Sequence, residues 1–134
     1  MKVSGLLQKH YWILSILMIG LFFVTSCNAS SDTANTFEQA ISNGKPTIAE
    51  FGRGTCIPCK QMKPILEGLA IEYKDKLNVV IISVDEDRDL TNKYRINVIP
   101  IQIVFDSSGK EIVRHIGFWP KEEIVAQLKK MGIQ

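Results

Sequence analysis

The chain has 134 residues, enough for one domain, and 46% of them are apolar, enough for an ordinary core. With 16 Lys and Arg residues against 14 Asp and Glu residues, its formal net charge is +2. No basic excess or patch of the kind found in binders of nucleic acid is evident, so this class of function is excluded.

Residues 1–26 have the parts of a secretory signal peptide. Lys2, Lys9 and His10 precede the uncharged run YWILSILMIGLFFV (11–24), and small residues follow it. The run is shorter than the ~20 apolar residues that a membrane-spanning helix usually needs. We therefore predict a cleaved signal peptide, with an uncleaved anchor as the alternative. Cleavage removes two basic residues and leaves a net charge close to zero.

The end of the apolar run, VTSC (24–27), resembles the bacterial lipobox. The resemblance implies cleavage before Cys27 and two acylations of that residue, and more than one acyl chain gives stable anchoring. An ordinary signal peptide with a chance cysteine near its end is the alternative. Residues 27–35 are then the lipidated N-terminus and a small, polar tether. We expect an exported protein, lipid-anchored to a bacterial membrane and facing the periplasm or the cell exterior, where disulfides persist.

Residues 36–134 are predicted to form one α/β domain with a mixed sheet and helices on both faces. Apolar residues at helical spacing, together with helix start and stop signals, predict four helices, over residues 36–44, 56–76, 88–96 and 120–132. Apolar, β-branched runs predict four strands, over residues 45–52, 78–87 and, as a hairpin around the turn DSSGK, within 101–118. The run at 78–87 is typical of a central or a parallel strand.

The pair Cys56 and Cys59 in CIPC has three interpretations. Zinc normally takes four ligands, but after processing only these two cysteines and His115 are candidates, so we expect no metal. A structural disulfide across so short a loop removes little chain entropy. The position of Cys56 supports a redox role, because a helix N-terminus favours the thiolate over the thiol. Cys59, one turn later, can then attack a mixed disulfide.

Two segments carry a resemblance to the thioredoxin family: EFGRGTCIPCKQMKPIL and KYRINVIPIQIVFDSSGKEIVRHIG. The resemblance implies a thioredoxin-like fold, here with four strands, and no cofactor beyond the Cys56–Cys59 disulfide. It makes Cys56 the nucleophile and Cys59 the resolving cysteine. It also implies a cis peptide bond before Pro100, with the backbone of Ile99 free to pair with an extended substrate segment.

Glu50 lies where the family usually has a buried aspartate, and the resemblance makes it a proton acceptor for Cys59. Burial would raise its pKa. The alternative is an exposed glutamate at a strand end, since the alternation of residues does not tell which face of the strand is wet. The family's partner lysine for this carboxyl is replaced by Ile81, which leaves open how the pKa of the carboxyl is set.

Several residues around the pair are expected to contact substrate. Ile57 and Pro58 lie between the cysteines, and Ile57 replaces the usual glycine. Thr55 and Gly52 replace aromatic residues of the family and predict a more flexible approach to the site. Trp119 is a candidate substrate platform, with packing before the last helix as the alternative.

These features predict an extracytoplasmic, membrane-anchored thiol–disulfide oxidoreductase that reduces protein disulfides and acts as a monomer. Pro58 resembles the reducing members of the family. The expected partners are a membrane thiol electron donor and substrates such as apocytochrome c or misoxidised exported proteins. The rivals are a disulfide-forming oxidase or isomerase on the same fold, and a binding module with a structural disulfide.

Overall fold

A computed structural model describes residues 32–134, apart from the side chains of Asp32 and Asn35. The predicted signal peptide (1–26), the lipidation site Cys27 and the first residues of the tether lie outside the described residues. Among the helices of residues 32–134, none combines the length and the apolar character needed to cross a membrane.

Four helices and four strands follow one another along the chain. Their order is α1 (Asp32–Ser42), β1 (Thr47–Gly52), α2 (Ile57–Glu72), β2 (Asn78–Ser83), α3 (Arg88–Lys93), β3 (Ile101–Phe105), β4 (Glu111–Ile116) and α4 (Lys121–Lys130).

The strands form one mixed sheet in the order β2-β1-β3-β4. Strand β1 runs parallel to β2 and antiparallel to β3, and β3 and β4 form the predicted antiparallel hairpin. Strand β2 was expected to be either central or parallel. It is parallel to β1, but it lies at the edge of the sheet. It ends at Ser83 and not at residue 87, because the acidic residues that follow form a turn in which Asp87 caps α3.

Helices cover both faces of the sheet, as predicted. Helices α2 and α4 pack on one face around the fully buried side chains of Ile48, Met62 and Leu66. Helices α1 and α3 pack on the other face, where the ring of Phe37 makes edge-on contacts with Phe105, at a centroid distance of 5.6 Å. All six residues of β1 are buried because this strand has a neighbour on each side and a helix layer on each face.

Helix α1 begins at Asp32, four residues before the predicted start and inside the segment predicted as a tether. The expected boundary was set by the apolar positions from Phe37 onward. Ala34 packs against the same core cluster as Phe37, and Ile41 also lies against it. One further turn of helix therefore gains a core contact, and residues 32–35, predicted as part of the tether, are helical.

Candidate active site

The two cysteines lie where β1 passes into α2. Cys56 is the N-cap of the helix, with extended backbone angles (φ −81°, ψ 120°), and its Sγ accepts a hydrogen bond from the backbone N–H of Cys59 at 3.3 Å. Pro58 lies in the first helical turn, where a missing N–H breaks no helical hydrogen bond. Cys56 and Cys59 form a disulfide, with their Cα atoms 5.3 Å apart.

The two sulfur-bearing residues differ in accessibility. Cys59 is buried, with 7% of its surface exposed, whereas Cys56 is half-buried. Beside them Ile57 is 70% exposed. A partner molecule can therefore approach Cys56 more readily than Cys59, which is largely shielded.

The peptide bond between Ile99 and Pro100 is cis, as the resemblance implied. Pro100 is buried just before β3, and its carbonyl accepts a hydrogen bond from the N–H of Gly117 at 2.8 Å. In the described part of the chain, the backbone of Ile99 has no hydrogen-bond partner. Ile99 also lines an open groove of about 430 Å³ that extends to Arg53, in the loop before Cys56.

Glu50 is a buried carboxyl, 1% exposed, which rules out the alternative of an exposed strand end. Burial raises the pKa of Glu50 to about 7. Its Oε1 atom has no hydrogen-bond partner among residues 32–134. Glu50 lines a cavity of about 220 Å³ whose wall also includes Cys59. The carboxyl and the buried cysteine therefore line the same partly open pocket, whose rim includes the exposed residues Lys60, Lys63 and Glu86.

Gly52 lies between this carboxyl and Cys59. A Cβ atom built on Gly52 would lie 3.2 Å from Cys59 Cβ, 3.3 Å from Cys59 Sγ and 3.7 Å from Glu50 Oε1. The prediction of a merely flexible approach at this position misses its main feature, which is close packing against the buried cysteine. The hydrogen side chain of Gly52 leaves room between the sulfur and the carboxyl.

No basic side chain holds the Glu50 carboxyl in the described structure. Ile81 is its register partner on β2, as the departure from the family pattern predicted. Lys60 and Lys63 line the same cavity, but Lys63 faces Glu67 at 3.8 Å on the surface of α2. Burial without a cation is therefore what shifts the pKa of this group upward.

Of the two roles considered for Trp119, its burial favours packing before the last helix over a substrate platform. The residue is 5% exposed and belongs to the core cluster under α4. Its backbone N–H donates to Met62 Sδ at 3.2 Å, and its ring stacks on His115 at a centroid distance of 4.7 Å. The accessible aromatic residue of this loop is Phe118, 44% exposed, which the sequence reading missed.

Within residues 32–134, no three His, Cys, Asp or Glu side chains are grouped so that they could hold a metal ion. The described site consists of a disulfide at a helix N-terminus, a buried carboxyl behind it and a cis-proline loop. This arrangement suits the exchange of a dithiol with a disulfide.

Comparison with known proteins agrees with this geometry. Residues 28–130 match the family model described as Thioredoxin. The chain belongs to the thioredoxin family. The thioredoxin of Alicyclobacillus acidocaldarius subsp. acidocaldarius is 38% identical over 96 residues, which cover 72% of this chain and 90% of that protein. A thioredoxin of Staphylococcus saprophyticus subsp. saprophyticus is 34% identical over 98 residues, 73% of this chain and 92% of the relative.

A solved structure supports the same assignment. The crystal structure of chloroplastic thioredoxin z superposes with a TM-score of 0.67 at 30% identity, covering 75% of this chain and 90% of the other. As a member of the thioredoxin family, the protein is a thiol–disulfide oxidoreductase with Cys56–Cys59 as its redox centre.

Proposed function

We propose that this thioredoxin is a membrane-anchored, extracytoplasmic reductase of protein disulfides. The observation that carries the exchange chemistry is the asymmetry of the pair, with Cys56 accessible at a helix N-terminus and Cys59 buried beside a carboxyl. An accessible thiolate is what a nucleophile needs, and a shielded second thiol attacks only what is bonded to the first.

The proposed reaction has two exchange steps. In the reduced protein, the Cys56 thiolate attacks one sulfur of a substrate disulfide. The substrate S–S bond breaks, a mixed disulfide forms on Cys56, and the other substrate sulfur leaves as a thiolate that takes a proton from water. Cys59 then attacks Cys56 Sγ, the mixed disulfide breaks, and the second substrate thiol is released. The substrate gains two electrons, and Cys56–Cys59 becomes the disulfide.

In this scheme Glu50 accepts the proton of Cys59 during the second step. Because the Cys59 thiol is largely buried, the carboxyl on the wall of the same pocket is a nearby acceptor for its proton. A carboxyl with a pKa near 7 is ionised in half of the molecules at neutral pH, so it is matched to the task. The gap left by Gly52 keeps the path between the two groups open.

Substrate contacts are proposed on the accessible side of the pair. The free backbone of Ile99 can pair with an extended segment, as an added strand does at a sheet edge. Ile57 and Pro58 would contact the residues beside the scissile disulfide. Phe118 and Val98, exposed at 44% and 47%, replace Trp119 as the apolar contacts we propose around the cis-proline loop.

The cellular setting is proposed from residues 1–27. A lipid anchor on Cys27 would hold the domain at a bacterial membrane, facing the periplasm or the cell exterior. A reductase in an oxidising compartment must be recharged, so we propose a membrane thiol electron donor as its partner. Apocytochrome c and misoxidised exported proteins are candidate substrates for a monomeric enzyme.

The direction of the reaction is tested by the reduction potential of the Cys56–Cys59 pair. We expect a value below about −230 mV, on the reducing side of the thioredoxin-like range, because Pro58 resembles the reducing members. Equilibration of the purified protein against defined dithiol buffers, read by alkylation, gives the value. A potential near or above about −150 mV would identify a disulfide-forming enzyme.

The anchor is tested by the mass of the protein purified from membranes. We expect a chain that begins at Cys27 and carries acyl chains. A Cys27→Ser variant should lose the acyl mass and, because cleavage follows acylation of this cysteine, should retain residues 1–26. A wild-type chain that retains residues 1–26, or that lacks acyl groups, would contradict the lipoprotein proposal.

A further inference from the structure

Gln102 is a second buried polar side chain on the sheet, and it has no role in the mechanism above. It lies in the otherwise apolar strand β3 (IQIVF) and is 0% exposed. Both of its side-chain polar atoms, Oε1 and Nε2, lack hydrogen-bond partners among residues 32–134. A buried amide without partners is unfavourable by an amount that folded proteins rarely tolerate.

The register of the sheet places Gln102 directly opposite Glu50. Strands β1 and β3 are antiparallel, and Glu50 and Gln102 are Cα partners in their ladder. Side chains at directly opposite positions point to the same face of the sheet, with Cβ atoms about 4.5–5.5 Å apart. The three unpartnered buried side-chain atoms of the described chain, Glu50 Oε1 and the two of Gln102, therefore belong to adjacent residues on one face.

We propose that Gln102 is a positioning residue for Glu50, with its side-chain amide hydrogen-bonded to the carboxyl in both protonation states. Rotation of the two side chains, which start from neighbouring Cβ atoms, brings these groups together. The amide N–H donates to the carboxylate, and the amide oxygen accepts from the protonated carboxyl. An amide can thus hold a proton acceptor before and after it takes the proton, whereas a lysine would favour the anion alone. The inference rests on the proposed role of Glu50 in the second exchange step.

Within the sheet, Gln102 is the polar residue directly opposite the carboxyl on an adjacent strand. The row that crosses the sheet at this level is Ile81, Glu50, Gln102 and His115. His115 lies beyond Gln102, with its Nε2 3.2 Å from the carbonyl of Phe118.

Four charged residues line the cavity on the other side of the carboxyl: Arg53, Lys60, Lys63 and Glu86. Arg53 is paired with Asp85 at 2.7 Å, and Lys63 faces Glu67. Neither pair includes Glu50, and Lys60 and Glu86 have no ion pair or hydrogen bond with it in the described structure.

The test is an NMR titration of the Glu50 carboxyl in the oxidised full chain with ¹³C-labelled glutamate. The resonance is identified by its loss in Glu50→Gln. In Gln102→Met, which keeps the size and removes the amide, we expect the pKa of Glu50 to rise by about one unit, because the lost hydrogen bond favours the charged form more strongly. Gln102→Leu carries the same expectation if the methionine variant does not fold. Ile103→Val, on the opposite face of β3, is the matched control and should not move the pKa.

The result separates this inference from the proposed function. If the pKa of Glu50 is the same in Gln102→Met and Gln102→Leu as in the wild type, the two residues are not coupled and the inference is overturned. The role of Glu50 then still stands on the kinetics of Glu50→Gln. If Glu50→Gln does not change the pH profile of the second exchange step but Gln102→Met shifts the pKa, the coupling holds and the proton-acceptor role fails.

Discussion

Cys56→Ser and Cys59→Ser are each expected to lower the rate of protein-disulfide reduction by at least about a thousandfold, but for different reasons. Without Cys56 there is no accessible thiolate at the helix N-terminus, so no mixed disulfide forms. Without Cys59 the first exchange still occurs, but nothing resolves its product. Cys59→Ser should therefore accumulate a covalent complex with the substrate, visible by mass under non-reducing conditions.

The covalent complex separates the enzyme from a binding module with a structural disulfide. Ile71→Ala on helix α2 is a suitable control, because Ile71 is 80% exposed and the variant keeps both cysteines. Its activity should equal that of the wild type. Retained activity in Cys56→Ser, or no trapped complex in Cys59→Ser, would mean that the pair does not work as nucleophile and resolving cysteine.

The redox pair and its setting could be predicted because their signals are local. CIPC between a strand and an amphipathic helix places Cys56 at a helix N-terminus wherever such a pattern folds. The cis bond at Pro100 came from the family resemblance, and the hairpin after it came from two apolar runs around the turn DSSGK. Each of these features depends on residues close together in the chain, and the structure agrees with all of them.

The features that depend on tertiary packing could not be predicted with the same certainty. The alternation of residues in β1 did not show whether Glu50 is buried, because helices cover both faces of this strand and none of its residues is exposed. The sequence left Trp119 open between a substrate platform and packing before the last helix, and only its place in the core cluster with Ile124 and Leu128 favours packing. Gln102 carried a usable signal, a polar residue inside an apolar strand, but its partner was fixed only by the register with β1.

Glu50→Gln is expected to stabilise the oxidised protein at pH 8 by up to about 3 kcal/mol and to flatten its stability between about pH 4.5 and pH 7. Burial raises the pKa of Glu50 in the folded protein to about 7 from the ordinary 4.5. Between these values the folded state holds a proton that the unfolded state has released. Wild-type stability therefore falls as the pH rises through this window, and Gln, which never ionises, removes that loss.

Urea unfolding of the oxidised protein at several pH values measures this effect, because disulfide-bonded cysteines do not titrate. Glu67→Gln on the exposed face of α2 is the matched control and should change stability by less than about 0.5 kcal/mol at any pH.

The same Glu50→Gln variant should slow the second exchange step at pH 8 by about 10²-fold, the low end for a lost general base, because a thiol is already moderately acidic. Higher stability together with slower exchange would mean that the buried carboxyl is kept for its chemistry. An unchanged pH slope would contradict the raised pKa from which both expectations follow.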